Sequence, residues 1–299
     1  MKKRISKVLA VVLAATMLLA GCGGNGSESN GGSEKIKDLY TWETSTREME
    51  GFFILNTEKA QDLNVLCNAY AGLVSTDADG KLIPDVAKEW GTEDGGITWT
   101  FKLRDDVKWV DVNGNVKADC TAQDWITALE WVLNYHKNGS NNSSMPVDTI
   151  KGAAEYLEYT KELDEATAKA LGTEKFLEMV GIEAPDPYTL VYTCTTNKAY
   201  FDTVATSACL YPISQALIDE LGVDNMIAMT NEQMWYTGPY TITSYINQNE
   251  KVLTKNPEYY DKECELFDTV TIKIIPDTTV GYQLYENGEI DHIDLGETA

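Results

Sequence analysis

The sequence predicts an α/β fold, because patterns typical of strands and patterns typical of helices alternate along the chain. Residues 98–103 alternate polar with apolar side chains, which is the period of a half-buried strand. This strand places Trp99, Phe101 and Leu103 on its inner face. Shortly after it, a one-sided apolar stripe at helical spacing predicts an amphipathic helix. The stripe consists of Trp125, Ala128, Leu129, Val132 and Leu133.

Turn and cap residues bound several of these elements. The run from Asp77 to Gly80 predicts a hairpin corner, since Asp caps tight turns and Gly80 supplies positive φ. Thr121 and Asp124 have the spacing of a capping box, with Asp in the place where Glu or Gln is commoner. The run Ala184-Pro-Asp-Pro predicts a proline-fixed corner between two strands.

The same reasoning predicts the remaining elements. Strands are expected at 38–42 and in three alternating segments after residue 236. Helices are expected at 60–70, 150–171 with a break near Lys161, 199–206, 215–221 between Ser214 and Gly222, and 279–286. The Asn- and Ser-rich stretch 138–146 is expected to be a loop.

Residues 1–21 have the pattern of a secretory signal peptide and are expected to lie outside the fold. Four basic residues precede an apolar run of 12 residues, which is too short to span a bilayer. The run Leu19-Ala-Gly-Cys22 then looks like a bacterial lipobox, in which Cys22 carries a lipid. Two acyl chains suffice for stable anchoring, and the Gly- and Ser-rich residues 22–34 predict a flexible tether. A plain secretory signal with an incidental cysteine is the alternative.

The charge of the chain excludes some partners. Residues 1–21 hold four of the 24 basic residues and none of the 47 acidic ones, so their removal leaves a net charge of −27. Such a surface repels nucleic acid and anionic lipid headgroups. We therefore expect no nucleic-acid partner, and we expect the lipid on Cys22, rather than the protein surface, to hold the protein at the membrane.

Residues for catalysis or metal binding are scarce. Five cysteines follow Cys22, with no Cys-x-x-Cys spacing, so a zinc cluster is not expected. The two histidines, His136 and His292, lie outside any His-Glu-x-x-His motif, and the Gly-x-Ser-x-Gly and Gly-x-x-x-x-Gly-Lys motifs do not occur. We predict no catalytic residue, no metal and no cofactor.

One acidic segment resembles a calcium loop without satisfying its geometry. The run Asp111-Val-Asn-Gly-Asn opens like an EF-hand. Val116 stands at the sixth position and Ala122 at the twelfth, where that loop needs Gly and Glu. The segment is predicted to be a hairpin turn.

Several short motifs follow one another in a particular order. They are Asn68-Ala-Tyr-Ala-Gly-Leu-Val, 77–90, 98–109, 121–128, Tyr236-Thr-Gly-Pro-Tyr, Asn256-Pro-Glu-Tyr and Gly288-Glu-Ile-Asp. Together they resemble the oligopeptide- and dipeptide-binding family of solute-binding proteins of peptide-type ABC importers, family 5 of the extracellular solute-binding proteins. The resemblance runs from Leu39 to Asp294 and rests on order and spacing, because each motif alone suits an ordinary packed layer.

The resemblance implies a periplasmic-binding-protein-like fold of the type II, class C cluster. Such proteins have two lobes joined by hinge strands, which close on a ligand. The expected division is a signal peptide (1–21), a tether (22–34), the first part of lobe I (35–75), an inserted α+β subdomain (76–184), and a return to lobe I with the start of the hinge (185–299). The family continues into a second lobe that is missing here, so a fragment or a truncated gene product is expected.

The function that the resemblance implies is that of a lipid-anchored extracytoplasmic binding protein, not an enzyme. It is expected to be a monomer that binds peptides in the cleft between its lobes and delivers them to ABC permease subunits in the membrane. A sugar, an opine or a nickel chelate on the same scaffold is the alternative ligand. A secreted hydrolase and a surface scaffold are the alternatives outside transport.

The resemblance also indicates candidate ligand-binding residues. Glu58 and Ala60 stand where oligopeptide binders contact the ligand backbone, although the family's Leu-Asp-Pro motif before them is replaced here. Thr127 stands where the family places a contacting aromatic residue. Tyr236 and Tyr240 are expected to border the cleft beside the hinge.

Overall fold

The computed structural model describes residues 37–43, 48–264 and 266–293. Cys22, the predicted signal peptide and the tether lie outside these residues. The strands of the described part are β1 (Asp38–Glu43), β2 (Val74–Thr76), β3 (Leu82–Pro84), β4 (Ala87–Gly91), β5 (Thr98–Leu103), β6 (Lys108–Val110), β7 (Val116–Asp119), β8 (Ile182–Asp186), β9 (Thr189–Thr193), β10 (Tyr240–Ile246), β11 (Glu250–Lys255) and β12 (Thr269–Ile274).

The helices of the described part form a second set, concentrated between residues 122 and 221. They are α1 (Ala60–Leu66), α2 (Ala122–Leu133), α3 (Tyr135–Asn138), α4 (Ser144–Thr149), α5 (Ala153–Glu162), α6 (Glu165–Lys169), α7 (Thr173–Met179), α8 (Phe201–Val204), α9 (Gln215–Leu221) and α10 (Thr278–Glu286). Short 3-10 turns lie at Ala208–Leu210 and Val223–Asn225. Every predicted helix is present, and several are shorter than predicted.

One four-stranded sheet joins the first strand of the described chain to its last three strands. Its order is β1-β12-β11-β10. Strands β10, β11 and β12 pair antiparallel, whereas β1 pairs parallel to β12, with Asp38 opposite Thr269 and Glu43 opposite Ile274. The predicted strand at 38–42 is confirmed, and so are the three strands after residue 236.

A second four-stranded sheet, of order β4-β5-β9-β8, is wholly antiparallel. In β5 the side chains alternate as predicted: Trp99, Phe101 and Leu103 are buried, between more exposed neighbours. The predicted domain boundary between residues 184 and 185 falls inside β8, so a division there separates strands that are hydrogen-bonded to each other.

Two short antiparallel ribbons, β2-β3 and β6-β7, confirm the turn predictions. In the first, the Asp77 carboxylate accepts the N–H groups of Asp79 and Lys81, and Gly80 has a φ of +76°. In the second, the Asp111 carboxylate accepts the N–H groups of Asn113 and Asn115, both at 2.9 Å. In each turn, an Asp side chain therefore accepts hydrogen bonds from the backbone N–H groups two and four residues later, which closes the turn.

Helix α2 is the centre of the core. It begins with the predicted capping box, in which the Asp124 carboxylate accepts the N–H of Thr121 at 2.7 Å. The predicted one-sided apolar face is wrong, because every residue from Asp124 to Leu133 is buried. Strand β8, helices α5 and α7 and the turn Ala208–Leu210 all pack against it. The charged Glu130 side chain of this helix must therefore find its partners inside the protein.

An ion pair at the end of α2 meets this demand. Glu130 and Lys137 are 5% and 7% exposed, and their Oε2 and Nζ atoms are 2.7 Å apart. Tyr156 Oη and Asn134 Nδ2 each donate to Glu130 Oε1 at 2.9 Å, and Lys137 Nζ also donates to the Leu171 carbonyl. These bonds satisfy both charges, which a buried pair requires, and they join the helices around α2.

A close backbone crossing links the first half of the chain to the last sheet. The carbonyl of Ala69 accepts the N–H groups of Thr237 and Gly238, and the carbonyl of Asn68 accepts that of Tyr240. A Cβ on Gly238 would lie 2.7 Å from the carbonyl carbon of Ala69. Helix α1 ends at Leu66, earlier than the predicted Tyr70, because the N–H groups of Asn68 and Ala69 bond to carbonyls three residues back, as in a 3-10 turn.

Within the described residues, no helix has both the length and the apolar character needed to cross a membrane.

We predict that Gly238→Ala lowers the free energy of unfolding by about 3 kcal/mol, since the added methyl group meets backbone that cannot rotate away. Gly91→Ala is the matched control, because a Cβ there has no atom within 4 Å. Denaturant unfolding of both variants measures the difference. Equal stability of the two variants would contradict the close crossing.

Candidate ligand site

Glu58 lies at the junction of two open cavities on one side of the described chain. The first has a volume of about 310 Å³ and the second a volume of about 350 Å³. Thr57 and Glu58 line both cavities. The first is completed by Glu50, Gly51, Phe53, Asn56, Lys59, Asp62, Asn141 and Ile227. The second is completed by Leu63, Asn142, Ser144, Met145, Ser207, Ala208 and Cys209.

A buried carboxylate holds the segment that precedes α1. Asp62 is 0% exposed, and its two oxygens accept the N–H of Glu50 at 3.0 Å and the hydroxyl of Thr57 at 2.6 Å. The Thr57 hydroxyl in turn accepts the N–H of Lys59 at 3.1 Å. Charge-assisted hydrogen bonds of this kind are stronger than neutral ones. They fix the backbone on both sides of Glu58, whose own side chain is exposed.

The loop at residues 139–143 contacts the Glu58 side chain directly. The backbone N–H of Asn142 donates to Glu58 Oε1 at 3.2 Å. Asn138 is 1% exposed, donates to the Leu55 carbonyl and accepts from Asn56 Nδ2. This loop is therefore attached to the segment that carries Glu58, more than 80 residues earlier in the chain.

The second cavity combines an apolar wall with a polar rim. Leu63, Met145, Ala208 and Cys209 supply the apolar surface. Burial raises the pKa of the Cys209 thiol to about 12, so the thiol is neutral at physiological pH. Such a thiol packs as a small apolar group rather than acting as a nucleophile. Next to the Glu58 carboxylate, the cavity offers contacts for both an apolar group and a hydrogen-bond donor.

Comparison with known proteins identifies the family. The model of the bacterial extracellular solute-binding proteins, family 5, matches residues 81–298. This chain belongs to family 5. The family consists of substrate-binding proteins, and its description places its members outside the cell. The resemblance seen in the sequence motifs is thereby confirmed.

Individual relatives agree with the family assignment. The oligopeptide-binding protein AliA of Streptococcus pneumoniae is 27% identical over 298 residues, which cover 99% of this family 5 chain and 42% of AliA. The oligopeptide-binding protein SarA of Streptococcus gordonii is 28% identical over 266 residues, which cover 88% of this chain and 37% of SarA. The chain thus spans about two-fifths of the length of these curated relatives.

A solved structure confirms the fold class. Haemophilus influenzae OppA in complex with RPPGFSPFR aligns with a TM-score of 0.72 at 23% identity, over 88% of this chain and 47% of OppA. The predicted α/β lobe of periplasmic-binding-protein type, with mixed sheets, is therefore correct.

The structure separates the five predicted ligand-binding residues into two groups. Glu58 and Ala60 are exposed, and Glu58 lies between the cavities. Thr127 is 2% exposed on α2, and Tyr236 and Tyr240 are both fully buried. Of the five side chains, only those of Glu58 and Ala60 have surface available to a ligand.

The two tyrosines make contacts within the core and, in the case of Tyr240, at the crossing described above. Tyr236 forms an antiparallel bridge with Val110, and its hydroxyl donates to the Asn231 carbonyl at 2.5 Å. Tyr240 opens strand β10 and donates its N–H to the Asn68 carbonyl. Their position beside the last sheet therefore reflects packing between chain segments.

The asparagines around Glu58 were not among the residues predicted to bind a ligand. Asn56, Asn138, Asn141 and Asn142 either line the cavities or hold the segment that carries Glu58. Their run at 138–142 indicated a loop and nothing more. The pattern contained a further signal, because asparagine is the non-glycine residue most tolerant of left-handed backbone.

A search of the described residues for metal sites finds no group of three or more His, Cys, Asp or Glu side chains that could hold an ion.

We predict that Thr127→Val raises the free energy of unfolding by up to about 1 kcal/mol and leaves ligand affinity unchanged. The Thr127 hydroxyl is buried without a hydrogen-bond partner among the described residues, so its removal relieves a desolvation cost. Thr160→Val is the matched control: this buried hydroxyl accepts the N–H of Tyr135 at 3.1 Å, so its loss should destabilise. Thermal unfolding and calorimetry measure both effects. Reduced ligand affinity in Thr127→Val would restore a binding role to Thr127.

Proposed function

We propose that the whole protein is the solute-binding component of an ABC importer, which binds peptides and delivers them to a membrane permease. The observation that supports this most directly is the Glu58 carboxylate at the junction of two open cavities, in a chain of family 5. AliA and SarA are named as oligopeptide-binding proteins, and the OppA structure is a complex with RPPGFSPFR.

The chemistry of the cavities suits an extended peptide. The main chain of a peptide offers N–H donors at regular intervals, and Glu58 supplies an acceptor that is stronger for being charged. Main-chain bonds provide affinity without selecting a side chain, while neighbouring pockets take alternate side chains. The apolar wall of Leu63, Met145, Ala208 and Cys209 supplies one such pocket.

We further propose that the protein binds its ligand without converting it, and that it acts as a monomer. The buried, neutral thiol of Cys209 is a poor nucleophile. His136 contacts the Tyr135 ring next to it and lies away from both cavities. Neither residue supplies the nucleophile and base that hydrolysis of a peptide requires.

A calorimetric titration of the protein expressed from the complete gene tests the proposal. We expect heat of binding with a mixed pool of di- to pentapeptides, and none with oligosaccharides. Glu58→Ala should weaken peptide binding roughly tenfold or more, since a hydrogen bond to a charged group contributes about 1.5–3 kcal/mol. Glu183→Ala, an exposed glutamate outside both cavities, is the control.

Two results would refute this reading. One is heat of binding with oligosaccharides but not with peptides, which would mean that the ligand is a sugar. The other is cleavage of any peptide in the pool, detected by mass spectrometry after incubation. Such cleavage would mean that the protein is a hydrolase.

We propose as well that a lipid on Cys22 anchors the protein at the outer face of the cell membrane. The support is the basic and apolar run that ends in Leu19-Ala-Gly-Cys22, together with a net charge of −27 that opposes adsorption to anionic lipid.

Fractionation of cells that express Cys22→Ser tests the anchor. The variant should leave the membrane fraction, because no acyl chains remain to hold it. Cys67→Ser, which changes an exposed cysteine within the fold, should stay with the membrane like the wild type. Retention of Cys22→Ser in the membrane would mean that something other than lipid on this cysteine holds the protein.

A further inference from the structure

The loop at residues 139–143 holds an unusual backbone conformation beside Glu58. Ser140 has a φ of +64° and Asn142 a φ of +54°, both in the left-handed region. Non-glycine residues occupy this region at a cost, and they persist there when surrounding contacts hold them. The hydroxyl of Ser143 closes the loop from within by donating to the Ser140 carbonyl at 2.7 Å.

Asn142 connects this loop to the chain segment that carries Glu58. Its side-chain amide donates to the carbonyls of Leu55 and Thr57, and its backbone N–H donates to Glu58 Oε1 at 3.2 Å. An amide has two donor hydrogens, so both carbonyls are within its capacity. One residue therefore contacts three of the four positions from 55 to 58.

A positioned carboxylate binds better than a free one. A glutamate side chain on the surface samples several rotamers, and a ligand that needs one of them must supply the ordering free energy. The Asn142 N–H selects one orientation before the ligand arrives. Because a carboxylate carries two oxygens, holding Oε1 also sets the direction in which Oε2 is presented.

We propose that Asn142 is a positioning residue of the ligand site, which holds the Glu58 carboxylate in the orientation that a peptide N–H donor requires. The inference rests on the proposed function, since it concerns the same carboxylate. In this proposal the left-handed loop preorganises the site through Asn142, which contacts both the backbone before Glu58 and the Glu58 side chain.

The test is a double-mutant cycle between residues 142 and 58 in the protein expressed from the complete gene, with the peptide pool as the ligand. Asn142→Gly keeps the N–H and the positive φ but removes the bonds to Leu55 and Thr57. We expect it to weaken peptide binding about fivefold. Asn142→Asp, which has the same size but no amide hydrogens, should lose at least as much.

In the Glu58→Ala background, Asn142→Gly should have no further effect, because the group that Asn142 positions is gone. A purely structural role would lower affinity by the same factor in both backgrounds. That result, or unchanged affinity of Asn142→Gly in the wild-type background, overturns the inference and leaves the proposed function standing. Failure of the wild-type protein to bind any peptide overturns both.

Gln248→Gly is the matched control. Gln248 also has a left-handed backbone, with a φ of +57°, and its N–H also donates to a glutamate, Glu48, at 2.6 Å. It lies outside both cavities. Relief of backbone strain alone should therefore leave peptide affinity unchanged in Gln248→Gly, and an equal loss of affinity in this variant would also count against the role of Asn142.

Discussion

The close crossing of residues 236–240 over residues 68–70 is the constraint on which the architecture depends. Here two backbones meet without intervening side chains, which only a glycine at position 238 permits. On one side the crossing leads into the sheet that contains the first and the last strands of the described chain. On the other side it holds the turn that follows helix α1, and the first residue of that helix, Ala60, follows Glu58 by two positions. The segment that follows α1 is thus attached to residues 237–240 through the carbonyl groups of Asn68 and Ala69.

Much of the fold was predictable from the sequence, because its determinants are local. Alternation located β5, aspartate and glycine located the two ribbon turns, and Thr121 with Asp124 located the start of α2. Properties set by distant neighbours were not predictable. The stripe on α2 indicated one buried face, whereas burial all round depends on what packs on the other side. The bonds from Thr237, Gly238 and Tyr240 to the carbonyls of residues 68 and 69 likewise join segments nearly 170 positions apart.

The site divides in the same way. The resemblance located Glu58 by its distance from the motif at residues 68–74, and the structure places it between the cavities. Thr127, Tyr236 and Tyr240 came from the same kind of alignment, which gives position along the chain but not the direction of a side chain. All three point into the core. The contacts of Asn142, on which its proposed role rests, could not be predicted from the sequence, because they join segments more than 80 residues apart.

The parallel pairing of β1 with β12 has a consequence for how the protein is made. A ribosome adds roughly 5–20 residues per second, so β1 waits on the order of 10–50 s before its partner has been synthesised. During this time the strand has an open edge, to which another nascent chain can add. The same delay keeps the polypeptide incompletely folded until nearly all of the described length exists.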